Sequence, residues 1–144
     1  MEKRIRQPDS LRVLCLDEQG FTRTLLRDML RLWGITNVTE GCNGYVGLKE
    51  MAKNRFDLVI TGWNMPDVDG LQFFLACKKV PDLRHIPIIV VAGNVSEQHI
   101  RKAVKNGLKL FLAKPVSPKN LRKRIEAAVG PIAVPPSHSS GVVF

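Results

Sequence analysis

The spacing of apolar runs constrains this chain more than any other feature. Four short runs, "LRVLCLD" (11–17), "FDLVIT" (56–61), "PIIVVAG" (87–93) and "LKLFLA" (108–113), are almost continuous in Val, Ile and Leu. Strands covered on both faces read this way, because neither face meets water. A fifth run, "ITNVTE" (35–40), is more polar and suits a sheet edge. Between the runs lie segments of helical period. Phe21, Leu25, Met29 and Leu32 form one stripe, with Gly34 as a stop signal after Trp33, and 44–53, 70–79, 96–106 and 117–129 are long enough for helices. Parallel neighbours need crossover connections, so repeated alternation of strand and helix predicts an α/β fold with helices on both faces. With five strands the doubly wound order 2-1-3-4-5 is expected, and ligands then sit beyond the carboxyl ends of the strands, near the switch between the first and third.

The length of 144 residues fits one domain, read as an extension over 1–10, a folded unit over 11–130 and a flexible tail over 131–144. Hydrophobic residues at 44% and charged residues at 24% are ordinary globular values, which argues against a disordered chain. No apolar run approaches the roughly 20 residues that span a bilayer, and the opening "MEKRIRQPDS" resembles neither a secretory nor a transit signal. A cytoplasmic location without membrane insertion is expected. Cys15, Cys42 and Cys77 show no metal or redox spacing, so reduced thiols are expected, with Cys15 a small buried hydrophobe. The formal charge of +9 favours acidic partners without identifying one.

At the carboxyl ends of the predicted strands stand Asp17 and Glu18, then Gly62, then Ala92 and Gly93, and finally Lys114. Each has a bland reading as a cap or a turn; their placement on one rim is the informative feature. Two acids and one lysine converge there.

The acidic pair in "LDE", the loop "WNMPDVDG" and the "AKP" after the fifth run make residues 11 to 130 similar to the receiver domain of two-component response regulators, particularly the single-domain chemotaxis (CheY-like) type. The resemblance implies a flavodoxin-like fold and a phosphoryl switch. In that family an aspartate ending the third strand takes phosphate from a histidine kinase, while the acidic pair and a loop carbonyl hold Mg²⁺. A hydroxyl residue ending the fourth strand and a lysine ending the fifth bind the phosphoryl oxygens. Carried over, Asp17 and Glu18 match the metal acids, Asn64 the loop carbonyl and Lys114 the lysine. Phe111 matches the aromatic switch residue, without the commoner tyrosine hydroxyl. The acceptor position holds Gly62, between Thr61 and Trp63, and the hydroxyl position holds Ala92. Asp57, at the other end of the third strand, is no replacement and reads as a strand-start residue.

Forming an acyl phosphate needs a carboxylate nucleophile, and glycine has none. Loss of the hydroxyl at Ala92 would also uncouple any phosphate from the fourth helix. The resemblance therefore implies a degenerate receiver, not an enzyme, acting as a constitutive interaction module. Mg²⁺ binding through Asp17, Glu18 and Asn64 is expected to be weakened, and Lys114 is expected to pair with Asp17. The alternative reading is a receiver phosphorylated elsewhere, with Asp17, Thr61, Asp67 and Asp69 as substitute acceptors, or an inactivated form of an active receiver. Asp69-Gly70 reads more simply as the turn and cap of the third helix. A cofactor-binding flavodoxin is disfavoured, since acids stand where a glycine-rich phosphate loop would follow the first strand.

The family's output face, formed by the fourth and fifth helices with the fifth strand, would carry Arg101, Lys102, Lys105, Lys109, Lys119, Arg122, Lys123 and Arg124 against Glu97 and Glu126. The bland reading is a solvated surface. The functional one is a face for a signalling protein, a histidine kinase or a downstream target, of acidic character; a homodimer stays open. Nucleic acid is disfavoured because aromatic residues are only 6% of the chain, leaving few stacking platforms. Val142, Val143 and Phe144 are candidates for a groove-binding tail, and His85, His99 and His138 lack ligand spacing.

Overall fold

The computed structural model describes residues 5–134. Five parallel strands, β1 (Arg12–Leu16), β2 (Asn37–Gly41), β3 (Leu58–Gly62), β4 (Ile88–Ala92) and β5 (Leu110–Ala113), form one sheet in the order β2-β1-β3-β4-β5. The connecting helices are α1 (Gly20–Leu32), α2 (Gly44–Lys53), α3 (Gly70–Lys79), α4 (Glu97–Lys105) and α5 (Pro118–Val129). This is the expected doubly wound architecture, and β2, the most polar strand, lies at an edge.

Alternation along each strand sends neighbouring side chains to opposite faces, so an apolar strand feeds two cores. Leu14, Leu16 and Val59 join Phe73, Phe74 and Met51 under α2 and α3, together with Ala103 of α4. Val13, Cys15, Leu58 and Ile60 join Leu26, Leu30, Leu121 and Ile125 under α1 and α5. The helix ends follow local chemistry. Asp69 caps α3 in a reciprocal box with Gln72, Ser117 caps α5, and Gly34 takes φ 83°, the left-handed turn that ends α1.

The stripe expected on α1 is rotated in the structure. Thr22, Leu26, Met29 and Leu30 are buried, whereas Phe21 is 80% exposed and Leu25 and Leu32 also face outward. The helix carries two apolar stripes one residue apart, and only the one with Leu26 and Leu30 fits the sheet. The folded body also runs past the boundary expected at residue 130. Arg6 pairs with Ile132, its backbone N–H donating to Pro131 O at 2.8 Å and its carbonyl accepting from Ala133 N at 2.9 Å. Asp57 holds this end of the sheet, accepting from Arg12 N at 2.9 Å and from the Arg6 guanidinium at 3.3 Å. That is the strand-start role read for it. Val142, Val143, Phe144 and His138 lie outside the described residues.

Burial pushes the thiols of Cys15 and Cys77 up to about 12, whereas Cys42 is exposed. A buried thiol held neutral stabilises the fold below the ordinary thiol range. That contribution is lost as pH rises from there toward 12, because only the unfolded chain ionises. In native protein at pH 8, iodoacetamide followed by mass spectrometry should modify Cys42 alone, and all three cysteines once the chain is unfolded in guanidinium. Native labelling of Cys15 or Cys77 would contradict this packing.

Candidate functional site

The strand order brings the ends of β1, β3, β4 and β5 to one rim, and Asp17 is its centre. This carboxylate is 2% exposed, since it closes β1 beneath the loops that follow. Its Oδ1 accepts from Gln19 N at 2.9 Å, and its Oδ2 accepts from Lys114 Nζ at 3.3 Å. Its backbone is equally held, the N–H donating to Gly41 O at 3.1 Å and the carbonyl accepting from Arg23 Nη1 at 2.7 Å. Glu18, the second predicted metal acid, is exposed.

Gly62 ends β3 fully enclosed, in ordinary strand pairing with Val91. A Cβ built on it would lie 2.7 Å from Asp17 Oδ2 and 3.2 Å from Asp17 Cγ. The Asp17 carboxylate therefore leans over β3 into the volume that a side chain at position 62 would take. Gly70 is held to glycine by backbone, because a Cβ there would collide with Gly62 O while its N–H donates to Trp63 O at 2.8 Å. The loop between them returns tightly. Asn64 is exposed on it, and Asp67 adopts φ 65°.

The candidate substitute acceptors lie at the ends of β1 and β3 and in the loop leading to α3. Thr61 is buried, its hydroxyl donating to Gly62 O at 3.1 Å, and Asp69 is occupied by the N-terminus of α3. Asp67 Oδ2 accepts from Asn43 Nδ2 at 3.5 Å. Across the rim Ala92 is buried, and its carbonyl accepts from Lys114 N at 2.9 Å. Phe111 is half-buried against the α3-side core, and its carbonyl accepts from Arg124 Nε at 3.0 Å. His99 sits beside the rim, its ring centroid 6.5 Å from that of Trp63 and its Nδ1 2.6 Å from Ser96 Oγ.

Sequence reasoning missed the brace behind Asp17. Arg23 Nε and Arg27 Nη1 both donate to Glu40, at 3.3 and 3.1 Å. Two arginines four apart on α1, opposite an acid near the end of the strand beside β1, were the available signal. The predicted basic face is also divided. Arg122 turns toward α1, stacked 5.5 Å from the Trp33 ring and 2.6 Å from Glu126, while Arg101 pairs with Glu97 at 3.0 Å. Lys102, Lys105, Lys109, Lys119 and Lys123 are exposed, and among the described residues none of them has an ion-pair partner.

A divalent cation of the Mg²⁺ type takes about six oxygens in near-octahedral array, usually including carboxylates. Here Asp17 has both carboxylate oxygens in hydrogen bonds, position 62 supplies no carboxylate, and among the described residues no group of three His, Cys, Asp or Glu side chains converges on one point. The rim therefore offers such an ion two carboxylates, one of them already engaged, and the Asn64 carbonyl.

The order of strands and the acid-lysine rim together define a receiver-type fold. Residues 13–126 match the response regulator receiver domain, and the chain belongs to that family of two-component signalling proteins. It is 30% identical over 122 residues to a probable chemotaxis protein CheY of Rhizobium etli, covering 85% of this chain and 95% of that one. It is 28% identical over 116 residues to the chemotaxis protein CheY of Pseudomonas aeruginosa, covering 81% and 94%. Among solved structures, the receiver domain of a Pseudomonas aeruginosa sensor histidine kinase superposes with a TM-score of 0.75 at 22% identity, over 83% of this chain and 98% of that one. That protein carries a magnesium ion coordinated in its active site cleft. No described helix is long and apolar enough to cross a membrane.

The contact at Gly62 predicts the sign of a substitution. At an unhindered position Gly→Ala stabilises a protein by about 0.4–1 kcal/mol through the unfolded chain. Here Gly62→Ala should destabilise by about 1–3 kcal/mol, because the new methyl displaces a held carboxylate. Urea unfolding followed by circular dichroism checks this, and a neutral or stabilising result would show that Asp17 yields freely.

Proposed function

We propose that this receiver domain is not phosphorylated at the third-strand position and acts in two-component signalling as a constitutive protein-interaction module. The observation that carries the reading is the occupation of the acceptor volume: Asp17 Oδ2 lies 2.7 Å from where a side chain at Gly62 would begin. A phosphoryl group would find no carboxylate at the end of β3, where Asp17 leans into the space in which one would start. Ala92 removes the hydroxyl that would report a phosphoryl group to α4, and it is packed into the core rather than open to the rim. Loss of the chemistry and loss of its read-out are thus consistent with each other. Mg²⁺, where it binds, supplies charge neutralisation for phosphoryl transfer; Asp17, Glu18 and the Asn64 carbonyl are the groups that would hold it, with reduced affinity because Asp17 is already engaged.

The partner is a signalling protein, a histidine kinase or a downstream target, and its complementary surface is acidic. The support is the set of exposed lysines on both sides of the edge strand β5, Lys102 and Lys105 on α4 and Lys119 and Lys123 on α5, none with an ion pair among the described residues. Such a surface speeds encounter with an acidic patch and loses that advantage as salt rises.

Trp63 borders the rim and is buried, so its fluorescence reports on the site, whereas Trp33 lies at the far end of α1 and gives a constant background. Titrating native protein with beryllofluoride and Mg²⁺ should leave the Trp63 signal flat. A saturable change would mean that the pocket still accepts a phosphoryl mimic, and would overturn the proposal.

A further inference from the structure

Receiver sites that hold a metal gather three acids against one lysine, a surplus of negative charge that calls for a divalent cation. In this chain the account differs. Asp17 is buried with its counter-ion Lys114 at 3.3 Å, and Glu18 extends into solvent. Arg23 adds a second cation at 2.7 Å from the Asp17 carbonyl, tied back to Glu40 and supported by Arg27. Asp17 therefore has its charge balanced by Lys114 without a metal, and Arg23 adds further positive charge beside it. A divalent ion entering the site would have to strip Lys114 from Asp17, the only buried carboxylate among the described residues, and then sit beside two positive side chains.

We propose that Lys114 replaces the divalent cation in this protein, as a built-in counter-ion that occupies Asp17 and competes with Mg²⁺ for it. The ion pair also fastens the β5–α5 connection to the β1–α1 connection across 97 residues of sequence. The absence of a side chain at Gly62 makes this possible, since Asp17 reaches the meeting point by leaning over that glycine. Competition has a consequence opposite in sign to a structural role. Removing the ammonium should raise the affinity for Mg²⁺ instead of abolishing it, because Asp17 is then released to join Glu18 and the Asn64 carbonyl. The inference draws on the vacancy at position 62 but not on the absence of phosphorylation, which the phosphoryl-mimic titration addresses separately.

The test is calorimetric titration of Mg²⁺ alone into native protein, Lys114→Gln and Lys114→Arg, at pH 7.5 and low salt, with melting temperature against Mg²⁺ as a second reading. Lys114→Gln is expected to bind Mg²⁺ at least tenfold more tightly than native protein and to gain melting temperature with added Mg²⁺. Lys114→Arg, which keeps the charge, is expected to behave like native protein and guards against a folding defect in the neutral variant. Equal Mg²⁺ affinity in native and Lys114→Gln protein, including no binding by either, would overturn the proposal. A tenfold gain in Lys114→Arg as well would show that side-chain shape, not charge, controls the site, and would equally overturn it.

Discussion

A carboxylate with almost no exposure must be paired, and Asp17 is paired through every polar atom it has. Gln19 N and Lys114 Nζ take its two oxygens, Arg23 takes its carbonyl, and its N–H extends the β1–β2 ladder to Gly41. Breaking a buried charge pair from one side leaves an uncompensated ion, so this cluster holds the rim in a single arrangement. The small residues around it follow from that need. Gly62 leaves the volume that Asp17 enters, and Gly70 allows the following loop to close over the Gly62 carbonyl.

The two cores explain how such a cluster is kept in place. β1 and β3 are buried on both faces, and their carboxyl ends project the site residues from a rigid base. The second anchor lies at the opposite end of the same strands, where Asp57 ties Arg12 and Arg6 and the chain after α5 pairs with Arg6. Stability is supplied at one end of the sheet and chemistry is placed at the other. A site on this base changes its chemistry through its terminal side chains without disturbing the fold.

The fold was legible because apolar runs of strand length alternate with helical segments, and that pattern admits few topologies. The rim was legible for the same reason: once the strand order is set, Asp17, Gly62, Ala92 and Lys114 must meet, and the Asp17–Lys114 pair follows from charge. Details that depend on which of two similar surfaces packs were not legible. Phe21 and Leu25 look as apolar as Leu26 and Leu30, and only the sheet decides between them. Arg122 reads as one more surface cation until Trp33 and Glu126 are seen to hold it. The Arg23–Glu40–Arg27 brace joins residues far apart in sequence, and its local signal, two arginines four apart on α1, gains meaning only once β2 is placed beside β1.

The proposal for the rim is that it lacks a phosphoryl acceptor and that Asp17 fills the space at Gly62. Intact-mass analysis of native protein after incubation with acetyl phosphate and Mg²⁺ tests it most directly. An unchanged mass is expected under conditions that phosphorylate an aspartate-bearing receiver run in parallel. A gain of one phosphoryl group on the native chain, stable in acid and labile in base, would place a working acceptor in this protein and contradict the proposal.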